Sequence, residues 1–121
     1  MPIALTVCDD SVMSRKGVMR AIPSEWDVQI TQASNGLEAL EAVAQGKAEV
    51  LFLDLTMPIM DGLEVLERLH KNQSPTKVIV ISADFQPEVS ERVMELGALA
   101  FIHKPVNGDK LREVLSAEGY L

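Results

Sequence analysis

The stretch Glu49-Val50-Leu51-Phe52-Leu53-Asp54-Leu55-Thr56-Met57-Pro58-Ile59-Met60-Asp61-Gly62 decides how this chain is read. Its apolar first half predicts a buried strand, Val50 to Asp54, that carries one carboxylate to its C-terminal end. A turn containing Pro58 follows, and Asp61 opens a helix. An ionised Asp in so apolar a run costs several kcal/mol, on the order of the penalty for an uncompensated buried charge, unless a cation or hydrogen bonds meet it. An isolated strand-end Asp ordinarily caps the next turn. The significance of Asp54 therefore rests on what the neighbouring segments bring to it.

Working outward, the chain alternates between two periodicities. Ile3 to Cys8 is short, apolar and β-prone, and Ser11 can cap a helix running to about Ile22. Gly17 inside that helix costs up to about 1 kcal/mol relative to Ala, which predicts close packing there. Asp27 to Ala33 alternates in polarity, which suits a strand with one wetter face or an edge position. Asn35 and Glu38 form a capping pattern for a helix whose inward residues are expected to be Leu37, Leu40 and Ala44, with Gly46 ending it. After the central strand, Asp61 and Glu64 repeat the pattern, with Leu63, Leu66 and Leu69 expected inward. Lys77 to Ser82 reads as a second apolar central strand, and Pro87 starts a helix to Leu96 that Gly97 terminates. Leu99 to His103 is a short fifth strand, and Asn107 caps a last helix through about Ala117. Strands alternating with helices at this spacing imply βαβ units, a parallel sheet and helices on both faces. The expected fold is a three-layer α/β/α sandwich, a single domain over residues 1–121.

Composition narrows the function. At 121 residues and 47% hydrophobic, the chain supports one sizeable core. A formal charge of −7 argues against direct nucleic-acid binding and against an anionic membrane surface, both of which need clustered Lys and Arg. No run of about 18 apolar residues is present, and the N-terminus has no leader pattern, so a cytoplasmic location is the expectation. The single cysteine, Cys8, lies in an apolar run and reads as a buried, inert thiol. His70 and His103 make no ligand cluster with it and read as surface residues.

In an open parallel sheet, ligands collect at the C-terminal strand ends near the point where strand order reverses. Those ends carry Asp9 and Asp10, then Asp54, Ser82 and Lys104. Each alone has an ordinary explanation as a helix start, turn hydroxyl or solvated lysine. Together they are a constellation. Two carboxylates about 4 Å apart repel by about 4 kcal/mol at an effective dielectric of about 20, so three call for a hard cation, and Mg2+ suits oxygen ligands of this kind. A divalent ion beside a carboxylate, an ammonium and a hydroxyl suits phosphoryl handling, with Asp54 as nucleophile.

These motifs (Cys8-Asp9-Asp10-Ser11, Asp54 with Thr56-Met57-Pro58-Ile59-Met60-Asp61-Gly62 behind it, Ser82-Ala83 and Lys104-Pro105) resemble the CheY-like receiver domain of two-component response regulators over essentially the whole chain. The resemblance implies a flavodoxin-like sheet in the order 2-1-3-4-5 with five helices. It implies that Asp54 accepts a phosphoryl group from a histidine kinase or histidine phosphotransfer protein. Asp10 and Asp54 would ligate Mg2+ directly, Thr56 through its backbone carbonyl, and Asp9 largely through water. Lys104 would pair with Asp54 or its phosphoryl group, and Ser82 would turn inward to it. A cis Lys104–Pro105 bond is compatible with the family pattern. Phe101 occupies the family's switch position, three residues before the lysine, where Tyr is common; it keeps coupling through packing and lacks the hydroxyl.

Such a domain is a signalling phosphoacceptor that assists its own phosphorylation and dephosphorylation, not a turnover enzyme. The responding surface is expected to be the fourth helix, fifth strand and last helix, facing a downstream effector or a fused output domain. Phe85 and Met94 are candidate contacts there, while Val12, Met13 and Arg15 are candidates for kinase docking. Thr56 and Asp84 flank the acceptor and the hydroxyl and are placed to set phosphoryl lifetime. Three alternatives are distinguishable. A haloacid-dehalogenase-type phosphohydrolase wants a second Asp where Thr56 stands, and it would turn over a phosphoester. A flavin carrier needs a phosphate cradle where the chain has Asp9-Asp10-Ser11, and it would be coloured. A phosphorylation-independent interaction module would not label with a phosphodonor.

Overall fold

The computed structural model describes residues 2–121. Five strands, β1 (Ile3–Cys8), β2 (Val28–Ala33), β3 (Val50–Leu53), β4 (Lys77–Ser82) and β5 (Ala100–His103), alternate with five helices, α1 (Val12–Ala21), α2 (Gly36–Ala44), α3 (Gly62–Lys71), α4 (Pro87–Glu95) and α5 (Gly108–Ala117). The strands are all parallel and lie in the order β2-β1-β3-β4-β5. This is the flavodoxin-like order that the motifs implied.

Burial explains the arrangement. β3 and nearly all of β4 are buried on both faces, whereas β2 forms one edge of the sheet and does not alternate in burial: adjacent Gln29 and Ile30 are both exposed, and only Ala33 is buried. On one face Leu51, Leu53, Val78 and Val80 pack against α2, α3 and α4, through residues such as Ala39, Leu66 and Val93. On the other, Val7, Phe52 and Ile79 pack against Val18 of α1 and Leu111 and Leu115 of α5. Trp26 closes that second face between Phe52 and Tyr120, at centroid distances of 6.1 and 5.6 Å. A Glu25–Arg112 ion pair ties the loop before β2 to α5.

The helix caps are those expected from sequence, with one variation. Ser11, Asn35, Asp61 and Asn107 each accept a hydrogen bond from the backbone N–H three residues on. Glu38, however, reaches past Asn35 to the Ser34 N–H at 2.7 Å and the Ser34 hydroxyl at 2.8 Å. α2 also departs from expectation in its phase. Leu37 and Ala44 are exposed, and the buried residues are Gly36, Ala39 and Ala42. The cause lies at Gly36, whose N–H donates to the Met60 carbonyl at 2.9 Å and where an added Cβ would come within 2.4 Å of that oxygen. This close approach turns the smallest side chains toward the sheet. Gly17 also differs from expectation, since a Cβ there would meet nothing within 4 Å. It borders a cavity of about 440 Å³ beside Lys104, Pro105 and Val106, so α1 is open at that point, not tightly packed.

Candidate functional site

The sheet register assembles the site. Cys8 is level with Leu53 across β1 and β3, so the residues that follow, Asp9 and Asp54, leave the sheet side by side. The Asp54 N–H still donates to the Cys8 carbonyl and the Asp9 N–H to the Ala33 carbonyl, each at 3.0 Å. Asp54 therefore lies one residue past β3 but remains anchored to it. β1 lies between β2 and β3, so the chain leaves β1 in one direction and crosses back in the other. The crevice between the loops after β1 and β3 is the switch point of the sheet. At the far side, Ser82 is level with His103, and the Lys104 N–H donates to the Ser82 carbonyl at 2.9 Å. The Lys104–Pro105 peptide is cis.

One carboxylate oxygen from each of Asp9, Asp10 and Asp54 lies within 4.8 Å of the others. Asp9 and Asp54 are buried and Asp10 is exposed. The Lys104 ammonium donates to Asp9 Oδ2 at 2.7 Å and stands 3.6 Å from Asp54 Oδ1. These two carboxylates are pushed apart electrostatically. Burial raises Asp9, but the Lys104 ammonium and the Ser11 N–H outweigh it and hold its carboxyl below the usual range. Burial dominates at Asp54 and, with the Asp9 charge, lifts its carboxyl above the usual range despite Lys104. One lysine serves two buried carboxylates unequally. The donor set, three hard oxygens with a net excess of negative charge, fits a divalent cation of the Mg2+ class. It is the one such cluster among the described residues.

The other expected residues are placed as follows. Ser82 is buried, and its Oγ accepts from the Asp84 N–H at 3.1 Å, holding the loop after β4. Thr56 lies exposed in the turn after Asp54. Phe101 is half-buried against the α2–α4 core. Cys8 is buried, as expected; burial first, then the Asp9 and Asp54 charges, push its thiol up to about 12. Val12, Met13 and Phe85 are exposed to 53%, 70% and 71%, so three apolar side chains are presented beside the acidic crevice.

Sequence reasoning missed three supports. His103 is exposed, as expected, but its ring stacks on Phe85 at 4.6 Å with the planes nearly parallel and meets Phe101 at 4.8 Å, a three-ring column from β5 to the loop after β4. The alternation of a strand places Phe101 and His103 on one side, which is the signal that was available. Gly62 is the second. A Cβ there would stand 2.1 Å from the Asp54 carbonyl oxygen, so the start of α3 lies directly against the backbone of Asp54. The third is Arg15, whose guanidinium turns in to the Asp9 carbonyl oxygen at 2.6 Å.

Comparison with known proteins agrees with this geometry. Residues 5–116 match the family profile described as the response regulator receiver domain. A chemotaxis protein CheY of Listeria monocytogenes is 34% identical over 114 residues, spanning 93% of this chain and 95% of that one. A protein-glutamate methylesterase/protein-glutamine glutaminase of Moorella thermoacetica is 41% identical over 113 residues. That match spans 91% of this chain but 26% of the relative, and two further methylesterases are spanned to 29% and 30%. Among solved structures, a chain of the CheX-CheY-BeF3-Mg+2 complex from Borrelia burgdorferi superposes with a TM-score of 0.87 at 26% identity, covering 98% of this chain and 90% of that one. No helix among the described residues is long and apolar enough to cross a membrane. The chain belongs to the response regulator receiver domain family and is of the CheY-like type.

Proposed function

We propose that residues 1–121 act as one receiver domain that accepts a phosphoryl group on Asp54, in the cytoplasm, from a histidine kinase or histidine phosphotransfer protein. The observation that carries this reading is the convergence on one crevice of three carboxylates within 4.8 Å and a lysine 3.6 Å from Asp54. Asp54 is the nucleophile because it alone combines burial, a raised carboxyl and a position at the switch point. Stripped of water, its carboxylate oxygen attacks phosphorus in line. The new O–P bond forms as the donor's P–N bond breaks, and that electron pair stays on the donor's imidazole. The carboxylates of Asp9, Asp10 and Asp54 and the Thr56 backbone carbonyl would hold Mg2+, which when bound supplies positive charge to the phosphoryl oxygens. The Borrelia complex, which holds Mg+2 and BeF3 by its description, supports that assignment.

Lys104 then exchanges partners. Its ammonium now bridges Asp9 and Asp54, and it is within reach of a phosphoryl oxygen on the latter. Ser82 gives up the Asp84 N–H and donates its hydroxyl to the same group, drawing in the loop after β4. Phe101 fills the space this vacates. A phosphoryl group brings a charge of about −2 and strong acceptors, sufficient to shift a two-state packing by a few kcal/mol. The surface that responds is α4, β5 and α5, with Phe85 and Met94 exposed on or beside it. An effector protein or a fused output domain reads that surface. Incubation with acetyl phosphate and Mg2+ tests the proposal: the wild type gains the mass of one phosphoryl group and Asp54→Asn gains none. Equal labelling of both proteins refutes Asp54 as the acceptor, and no labelling of either favours a phosphorylation-independent module.

A further inference from the structure

We propose that Arg15 is a positioning residue for the acidic pair: it fixes the peptide between Asp9 and Asp10 and so the direction in which Asp10 presents its carboxylate to a divalent cation. The inference rests on the metal-site reading above.

Asp10 is the weakly supported member of the triad. Asp9 is buried and held at both oxygens, Oδ1 by the Ser11 N–H at 3.0 Å and Oδ2 by Lys104 at 2.7 Å. Asp54 is buried at the end of β3. Asp10 is exposed, so its placement depends on the backbone that carries it. The peptide group is planar, and the Asp9 carbonyl shares its plane with the Asp10 N–H. A donor that fixes that oxygen fixes the plane and the starting direction of Asp10.

Arg15 supplies the donor. Its Nη1 donates to the Asp9 carbonyl oxygen at 2.6 Å, a short charge-assisted bond. Its Nε donates to Gln32 Oε1 at 2.9 Å, and its own backbone N–H donates to the Ser11 carbonyl at 2.9 Å. Gln32 adjoins Ala33, whose carbonyl receives the Asp9 N–H. One half-buried guanidinium thus ties together α1, the turn after β1 and the end of β2. Its planar fork holds two such bonds in a fixed relative geometry; a lysine in its place offers a point charge on a flexible stem, with rotatable donors that fix no plane.

Electrostatics and positioning predict opposite outcomes, which makes the role testable. As a positive charge near three carboxylates, Arg15 weakens cation binding, and its removal alone would tighten it. As a brace, it aids binding, and its removal loosens it. Groups that orient metal ligands typically change affinity by about 10- to 100-fold when removed. Binding of Mg2+ to the unphosphorylated full chain, read by calorimetry and by competition with Mn2+ in electron paramagnetic resonance, decides between them, with metal-free melting curves run in parallel. The expected result is about tenfold weaker binding in Arg15→Gln, little recovery in Arg15→Lys, and weaker binding in Gln32→Ala, which keeps every charge. Unchanged or tighter binding in Arg15→Gln overturns the inference while leaving the metal site standing. No binding by the wild type overturns the metal site itself. Should Arg15→Gln fail to fold, Gln32→Ala decides, and unaltered affinity there overturns the inference.

Discussion

Gly62→Ala is the most informative single substitution for the fold around Asp54. The added Cβ would stand 2.1 Å from the Asp54 carbonyl oxygen, 2.9 Å from Leu55 Cα and 3.0 Å from the Asp54 carbonyl carbon. All three are backbone atoms, so no side chain can swing away. Restoring contact distance requires the start of α3 and the end of β3 to part by about 1 Å, an overpacking cost of about 3 kcal/mol. Alanine returns up to about 1 kcal/mol through helix propensity, which leaves a net loss of about 2–3 kcal/mol. For a domain of this size each kcal/mol is worth about 4 °C, so Tm falls by about 8–12 °C. Gly17→Ala is the matched control. Its Cβ would meet nothing within 4 Å, it lies inside α1, and its Tm should rise by about 2–4 °C. Calorimetry of the two variants beside the wild type measures both. A Gly62→Ala variant melting at or above wild type would refute the close-approach argument.

Four further outcomes follow from the electrostatics and packing of the site. Lys104→Met leaves Asp9 buried without its cation and should cost about 2–3 kcal/mol at neutral pH in urea titrations, a loss that millimolar Mg2+ partly restores. Asp54, whose folded carboxyl is raised, destabilises the metal-free fold when ionised; Asp54→Asn should therefore melt higher than wild type at pH 7, and the gap should close as pH falls through the raised value toward the ordinary one. Asp9, whose carboxyl is lowered, does the reverse: Asp9→Asn should melt lower at pH 7, with the gap closing as pH falls from the ordinary carboxylate value through the lowered one. Cys8, buried and pushed up to about 12, should have a thiolate fraction of about one in ten thousand at pH 8 and react with Ellman's reagent only after denaturation.

The polar residues at the strand ends were legible in the sequence, because a parallel sheet of alternating βα units has one rim for all of them. Given the order of the motifs, Asp9, Asp10, Asp54, Ser82 and Lys104 could be assigned to that rim one by one. The caps were equally legible, since Ser11, Asn35, Asp61 and Asn107 act through bonds only three residues long. What escaped depends on distances between segments far apart in sequence. The phase of α2 is set by Gly36 meeting Met60, and no periodicity within the helix contains that contact. Glycine itself gave ambiguous signals: Gly36 and Gly62 mark close approaches, whereas Gly17 marks open space. The single lysine satisfying Asp9 more than Asp54, and the ring column from Phe101 through His103 to Phe85, are likewise products of tertiary placement.

If Asp54 accepts the phosphoryl group as proposed, phosphorus is taken up as an acyl phosphate on one carboxylate. Borohydride reduction reads this directly, because it converts an aspartyl phosphate to homoserine and leaves ordinary carboxylates alone. The domain treated with acetyl phosphate and Mg2+, reduced and digested, should yield homoserine at position 54 in the peptide that carries Leu53 and Leu55, and at no other position. Homoserine at Asp9 or Asp10, or a phosphorylated protein in which position 54 is still aspartate, would contradict it.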